Sequence, residues 1–153
     1  RAGTENVPGI VGFGKAVEIR AREMEAEGAR LMAQRDRLWA GISAQVPEVR
    51  LNGHPTRRLP GTLNVSFRHV ESESIVLGLD LKGVGLSAGS ACTSGNVEPS
   101  HVLVAMGVPL DWAVGAVRAS LGRENSPEDI DYVLQVLPPL VERLRRLSPA
   151  AVS

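Results

Sequence analysis

From about Val7 to Ala44 the sequence reads as helix, and the length of that helix is the strongest constraint on the fold. Ala16, Val17, Met24, Leu31, Met32, Leu38, Trp39 and Ile42 recur at close to three-to-four spacing, with Arg20, Glu23, Glu27, Arg30 and Asp36 on the remaining faces. At 1.5 Å per residue an unbroken helix of this length spans on the order of 55 Å. That exceeds the diameter of a small domain, so the helix braces two parts of a larger body or breaks. Gly9, Gly12 and Gly14 weaken its start, Gly28 is the expected break, and Pro47 ends it.

The remaining segments are short. Val49–Leu51 is a strand candidate, followed by the turn Asn52-Gly53 and a basic loop with Arg57 and Arg58. Thr62–Phe67 alternates Leu63, Val65 and Phe67 against Thr62, Asn64 and Ser66, the pattern of a half-buried strand. Ser72–Leu81 reads as a helix with Ser72 as N-cap and Lys82-Gly83 as its stop. Val84–Leu86 is a brief strand. Glu98-Pro99-Ser100 opens a helix with Pro99 in its first turn and Gly107 at its end, and Asp111 caps a short helix through Val114. Ala116–Leu121 is a strand closed by Gly122. Ser126-Pro127-Glu128-Asp129 is a helix start, and Pro138-Pro139 is expected to kink or break the apolar stripe that follows. This order predicts an α+β fold, with helices packed against a small, mostly antiparallel sheet.

Between β candidates lies Ser87–Asn96, rich in Gly, Ala, Ser and Thr and holding the only cysteine, Cys92. Such a segment has little apolar surface with which to fix itself, and a thiol there suits a travelling nucleophile. A buried, inert cysteine is the competing reading. Arg118, mid-strand, can grip a carboxylate through two parallel hydrogen bonds or make a surface ion pair. Gly3 and Thr4 could turn the backbone and offer donors to an anion. His54 and His69 lie in or beside loops with no metal-ligand spacing, and His101, on the helix after Pro99, reads as a surface or packing histidine ahead of one near Cys92. Seventeen basic and 17 acidic residues balance to zero net charge, which points neither to nucleic acid nor to a membrane surface. A single cysteine agrees with a reducing, cytoplasmic setting. Only two lysines occur, Lys15 and Lys82, and residue 1 is Arg within a motif, as in a chain cut from something longer.

The ordered set Arg1-Ala-Gly-Thr-Glu-Asn6, Leu63–Phe67, Gly89–Gly95, Glu98–Val102, Val117–Arg123 and Glu128–Asp131 resembles the C-terminal part of cysteine desulfurases of the NifS/IscS type. The resemblance covers essentially the whole chain. It implies the small domain of a fold-type I pyridoxal-phosphate transferase over residues 1–153, with 1–8 continuing from a large domain. Cys92 matches the catalytic cysteine, which takes sulfur from L-cysteine as a persulfide and leaves L-alanine. Arg118 matches the arginine that binds the substrate carboxylate. Thr4 matches the threonine that contacts the cofactor phosphate of the neighbouring subunit, which implies a homodimer.

The family also docks an iron–sulfur scaffold or another sulfur acceptor. Its Schiff-base lysine lies upstream and matches neither Lys15 nor Lys82, so the chain alone is expected to be inactive. Val114 stands where members often carry His, Ala119 where Phe is common, Glu124 where an aromatic is common, and Ala88 where Ser is common. A related class V lyase or aminotransferase is one alternative. A non-catalytic sulfur-carrying or scaffold-docking module is another.

Overall fold

The computed structural model describes residues 3–88 and 99–147. Helix α1 (Val7–Gln45) is continuous over 39 residues. Asn6 caps it, its Oδ1 accepting from Gly9 N at 3.1 Å. The expected break at Gly28 does not occur. A helical glycine costs only about 1 kcal/mol, and from Leu31 onward α1 is anchored by the buried side chains of Leu31, Leu38 and Ile42. The bare Gly28 also faces Pro60 of the basic loop, which a Cβ would meet at 3.8 Å. The anticipated stripe is therefore divided along the helix. Leu31, Leu38 and Ile42 enter the core, while Val17, Met24 and Met32 stay exposed, as do Val7, Ile10, Val11 and Phe13 nearer the start of the helix.

Strands β1 (Val49–Leu51), β2 (Thr62–Phe67), β3 (Ser87–Ala88) and β4 (Ala116–Ser120) form one antiparallel sheet of order β1-β2-β4-β3. Helices α1, α2 (Ser72–Asp80) and α5 (Pro127–Leu147) cover one face. There Leu63, Val65, Phe67 and Val117 meet Leu38, Ile75, Leu79, Ile130 and Val141, all almost fully buried. The short helices α3 (His101–Ala105) and α4 (Leu110–Ala113) make a second cluster, in which Leu103, Val108 and Ala113 pack on Ala116 of β4. This is the α+β architecture expected from the sequence.

Several local expectations are corrected. The strand before the cysteine segment is Ser87–Ala88, not Val84–Leu86. The amides of Gly83 and Val84 return to Asp80 O and Leu79 O at 2.8 and 3.0 Å, closing α2 with Gly83 at φ +76°. The chain is free to pair only after that. Ser72 is the first residue of α2 rather than its cap. Glu71 is the cap without a side-chain bond, and Ser72 N donates to Val114 O at 3.0 Å. Pro99 precedes Ser100, the N-cap of α3, instead of sitting in the first turn. Pro109, not Asp111, caps α4, and the Asp111 carboxylate accepts from Arg68 Nε at 2.7 Å. Helix α5 starts as expected, with Ser126 and Asp129 bonded reciprocally through Asp129 N to Ser126 Oγ (3.3 Å) and Ser126 N to Asp129 Oδ2 (3.0 Å). It then runs through Pro138 and Pro139 unbroken. The prolines forfeit ladder bonds, but Leu137 and Val141 on either side are buried and hold the helix to the core. None of the described helices is long and apolar enough to cross a membrane.

Gly115 joins α4 to β4 beside the end of β2. Phe67 N donates to Gly115 O at 3.0 Å. A Cβ at residue 115 would collide with Phe67 O and lie 2.6 Å from Val70 O. Both obstacles are backbone, so neither can rotate away. Gly115→Ala should lower stability by about 3 kcal/mol, read as a lower urea midpoint at unchanged slope. An unchanged midpoint would show that the connection tolerates a shift of that size.

Candidate functional site

Strands alternate their side chains between faces, and the register sorts the residues into rows. Asn64 pairs with Arg118, which pairs on its other side with Ser87. Asn52 N donates to Asn64 O at 3.0 Å, extending the β1–β2 ladder by one position. Asn52, Asn64, Arg118 and Ser87 therefore form one polar row across the sheet, on the face opposite α1, α2 and α5. Helices α3 and α4 roof this face at one end, over Ser66 and Ala116. Arg118 and Ser120 beyond that roof are exposed. Val117 and Ala119 anchor the same strand from beneath. Arg118 makes no ion pair with another described residue.

The row has a rigid end. Asn52, 5% exposed, donates from Nδ2 to Asn64 Oδ1 and to Ser66 Oγ, each at 2.7 Å. Its own Oδ1 is buried with no partner. Arg58 holds the following loop, donating to Asn52 O at 2.9 Å and to His54 O at 2.8 Å. Burial pushes the Arg58 guanidinium below its ordinary pKa, and the like charge of Arg35 adds to this. His54 Nδ1 accepts from the amides of Arg57 and Thr56 at 3.0 and 3.2 Å, so this histidine organises the loop it sits in.

The end of β4 is pinned to the long helix. Arg30 donates to Asn125 O at 2.7 Å, Gly122 O at 3.0 Å and Arg123 O at 3.1 Å, and Gln34 Nε2 reaches Asn125 O at 3.2 Å. Glu27 orients Arg30 through bonds of 2.9 and 3.0 Å. Their hydrogen bond holds the Glu27 carboxyl below the usual carboxylate range and raises Arg30 above its own. Asn52, Asn64 and Arg30 were not singled out from the sequence. Asn64 was at least legible as a polar-face residue of an alternating strand, whereas nothing in the local pattern marks Asn52 or Arg30.

Of the residues anticipated for chemistry, Cys92 lies outside the described residues. Arg118 stands on the open face. Thr4 is exposed ahead of α1, about 40 Å along the helix axis from Leu31, and the fold does not bring it to Arg118. Lys15 pairs with Glu18 on the exposed part of α1. Lys82 ends α2 on the helix-covered side, its carbonyl accepting from Tyr132 Oη at 3.1 Å. Neither lysine faces Arg118. A cleft of about 270 Å³ between Gly83–Leu86, the end of β4 and α5 lies on the helix side, with Tyr132 and Asp129 in its wall and Arg118 outside it. The described residues contain no cluster of three or more His, Cys, Asp or Glu with metal-ligand geometry.

The family model "aminotransferase class-V" matches residues 1–133. The chain is 52% identical over 149 residues to a cysteine desulfurase IscS of Methanosarcina thermophila, covering 97% of this chain and 37% of that protein. It is 51% identical to the cysteine desulfurase IscS 1 of Archaeoglobus fulgidus, again over 97% of this chain and 39% of the relative. The chain thus spans little more than a third of the length of these relatives. Among solved structures, a NifS-like protein superposes with a TM-score of 0.81 at 32% identity, over 94% of this chain and 36% of that one. A NifS-like protein from Rickettsia africae gives 0.79 at 27% identity, over 93% and 36%.

Arg30 is the clamp that this geometry makes testable. In Arg30→Met the Asn125 amide, which donates to Gly122 O at 3.2 Å, should exchange with solvent about tenfold faster. The Val117 amide inside the sheet should keep its rate. Equal rates at Asn125 in both proteins would mean that the turn holds itself.

Proposed function

The chain belongs to the aminotransferase class-V family, and from that footing we propose that it is the C-terminal, small-domain portion of a cysteine desulfurase, acting on L-cysteine. The observation that carries this reading is Arg118: an exposed guanidinium on a strand anchored from beneath, free of ion pairs with the other described residues. A carboxylate arriving there exchanges water for two charge-assisted hydrogen bonds without first displacing an acidic side chain.

In this reading Arg118 binds and orients the carboxylate of L-cysteine. The thiolate of Cys92 attacks the substrate's sulfur. A sulfur–sulfur bond forms, the substrate's carbon–sulfur bond breaks, and the electron pair left on carbon takes a proton to give L-alanine. The persulfide stays on Cys92 for transfer to an acceptor, an iron–sulfur scaffold or a thiolation enzyme. Pyridoxal phosphate and the lysine that holds it belong to sequence outside these 153 residues. Thr4, far from Arg118 along α1, is assigned to the phosphate in the second subunit of a homodimer. The setting is cytoplasmic.

A second reading, a sulfur-carrying or scaffold-docking module without its own catalysis, is favoured by one observation: neither Lys15 nor Lys82 faces Arg118. The two readings differ in the complete protein. In a desulfurase, Cys92→Ser should abolish sulfide release from L-cysteine and remove the one-sulfur mass increment from the protein. Arg118→Ala should raise the KM for L-cysteine by roughly ten- to a hundredfold. Unchanged sulfide yield in the first variant, or an unchanged KM in the second, would remove that residue from its role. The 153-residue chain incubated with pyridoxal phosphate and L-cysteine should gain no sulfur. Rapid persulfide formation there would refute the view that the lysine lies elsewhere.

A further inference from the structure

Asn64 is the cross-strand neighbour of Arg118 on the open face. Directly opposed residues of an antiparallel pair hold their Cβ atoms about 5 Å apart, close enough for both side chains to reach one small anion. The Asn64 amide is already oriented. Its Oδ1 accepts from Asn52 Nδ2 at 2.7 Å, on the side of the row away from Arg118. The other corner of the carboxamide, the Nδ2 with its two protons, is thereby turned away from Asn52. Among the described residues nothing accepts a hydrogen bond from it.

The device that sets this orientation breaks the usual rule for buried polar groups. Asn52 is 5% exposed, donates twice, and leaves its own Oδ1 buried and unpartnered. Asn52 thus presents its NH2 to both acceptors, which fixes Asn64 by its oxygen, and presents its own Oδ1 to none. A network whose only task was stability would close on itself or be apolar. This one is half-satisfied, and what it secures is the pose of Asn64 beside Arg118.

We infer that Asn64 is a second donor to the substrate carboxylate, its Nδ2–H binding one oxygen while Arg118 binds the anion from β4, and that Asn52 is the residue that positions it. The inference rests on the proposed role of Arg118. It also gives the polar row a chemical preference: a compact α-carboxylate is gripped from two adjacent strands, whereas a neutral ester offers no negative oxygen to the same pair.

The test uses the complete enzyme with three variants. Asn64→Ala should raise the KM for L-cysteine and the calorimetric Kd for L-alanine about tenfold, with kcat within about twofold of the parent. Asn64→Asp, nearly the same shape, should raise both further, because its carboxylate repels the ligand and occupies Arg118. Asn52→Ala should move both in the same direction by a smaller factor. L-cysteine methyl ester is the control, and its inhibition constant should stay within about twofold in all three. A parallel loss for the ester would assign Asn64 to packing alone and overturn the inference. So would an unchanged KM and Kd in Asn64→Ala and Asn64→Asp while Arg118→Ala raises both. Unchanged values in Arg118→Ala would overturn the carboxylate reading of the face, and this inference with it.

Discussion

The pairing of β2 with β4 is the constraint on which the rest of the molecule depends. Five residue pairs, from Thr62↔Ser120 to Ser66↔Ala116, set which side chains enter the core and which face outward. A slip of β4 by one residue against β2 would send Val117 and Ala119 to the open face and turn Arg118 beneath the three helices. The register is secured beyond the strands at both ends. Phe67 N bonds Gly115 O at 3.0 Å, and Leu121 N bonds Gly61 O at 2.7 Å. Gly61 and Gly115 lie so close to opposing carbonyls that any side chain would part the strands there. One apolar alternation thus does two things, packing α5 and presenting a guanidinium.

The long helix follows a different logic. Its C-terminal half is a core helix, and through Arg30 and Gln34 it also fixes the turn that follows β4. Its N-terminal half carries Val7, Ile10, Val11, Phe13 and Val17 into solvent. A free-standing helix of that composition gains little from the rest of this fold, since tertiary packing supplies most helical stability. Nothing within the described residues covers this apolar face, and the chain spans little more than a third of the length of the relatives it matches.

Strong periodicity made elements legible in the sequence, and tertiary contacts overrode local punctuation. Thr62–Phe67 and the start of α5 were readable because alternation and capping chemistry are local. Gly28 and the Pro138-Pro139 pair were read as breaks because propensity is also local, yet Leu31, Leu137 and Val141 lie in the core and keep both helices whole. The strand before the cysteine segment was misplaced for a related reason. Val84 is apolar, but its amide closes α2, so pairing waits until Ser87 comes alongside Arg118. Arg118 was visible as a candidate because a charged residue stood between Val117 and Ala119. Asn52 was read only as a turn residue. Its burial depends on β2, ten or more positions away, and no window of sequence contains that fact.

Under the proposed function, Arg118 and Cys92 place opposite demands on neighbouring stretches of chain. Binding a carboxylate demands donors fixed within a fraction of an ångström, and a strand held from beneath by Val117 and Ala119 meets that demand. Carrying sulfur from a substrate to an acceptor demands the reverse, a thiol on a stretch that packing does not fix. Residues 87–96 have the composition for this, with Gly, Ala, Ser and Thr around Cys92 and no bulky apolar side chain. The two requirements meet at β3, where Ser87 still pairs with Arg118 and Cys92 lies five residues further along the chain. An extended chain covers at most about 17 Å over such a distance. In the proposed reading, the strand paired with the one that carries Arg118 is thus also the start of the sequence that carries Cys92.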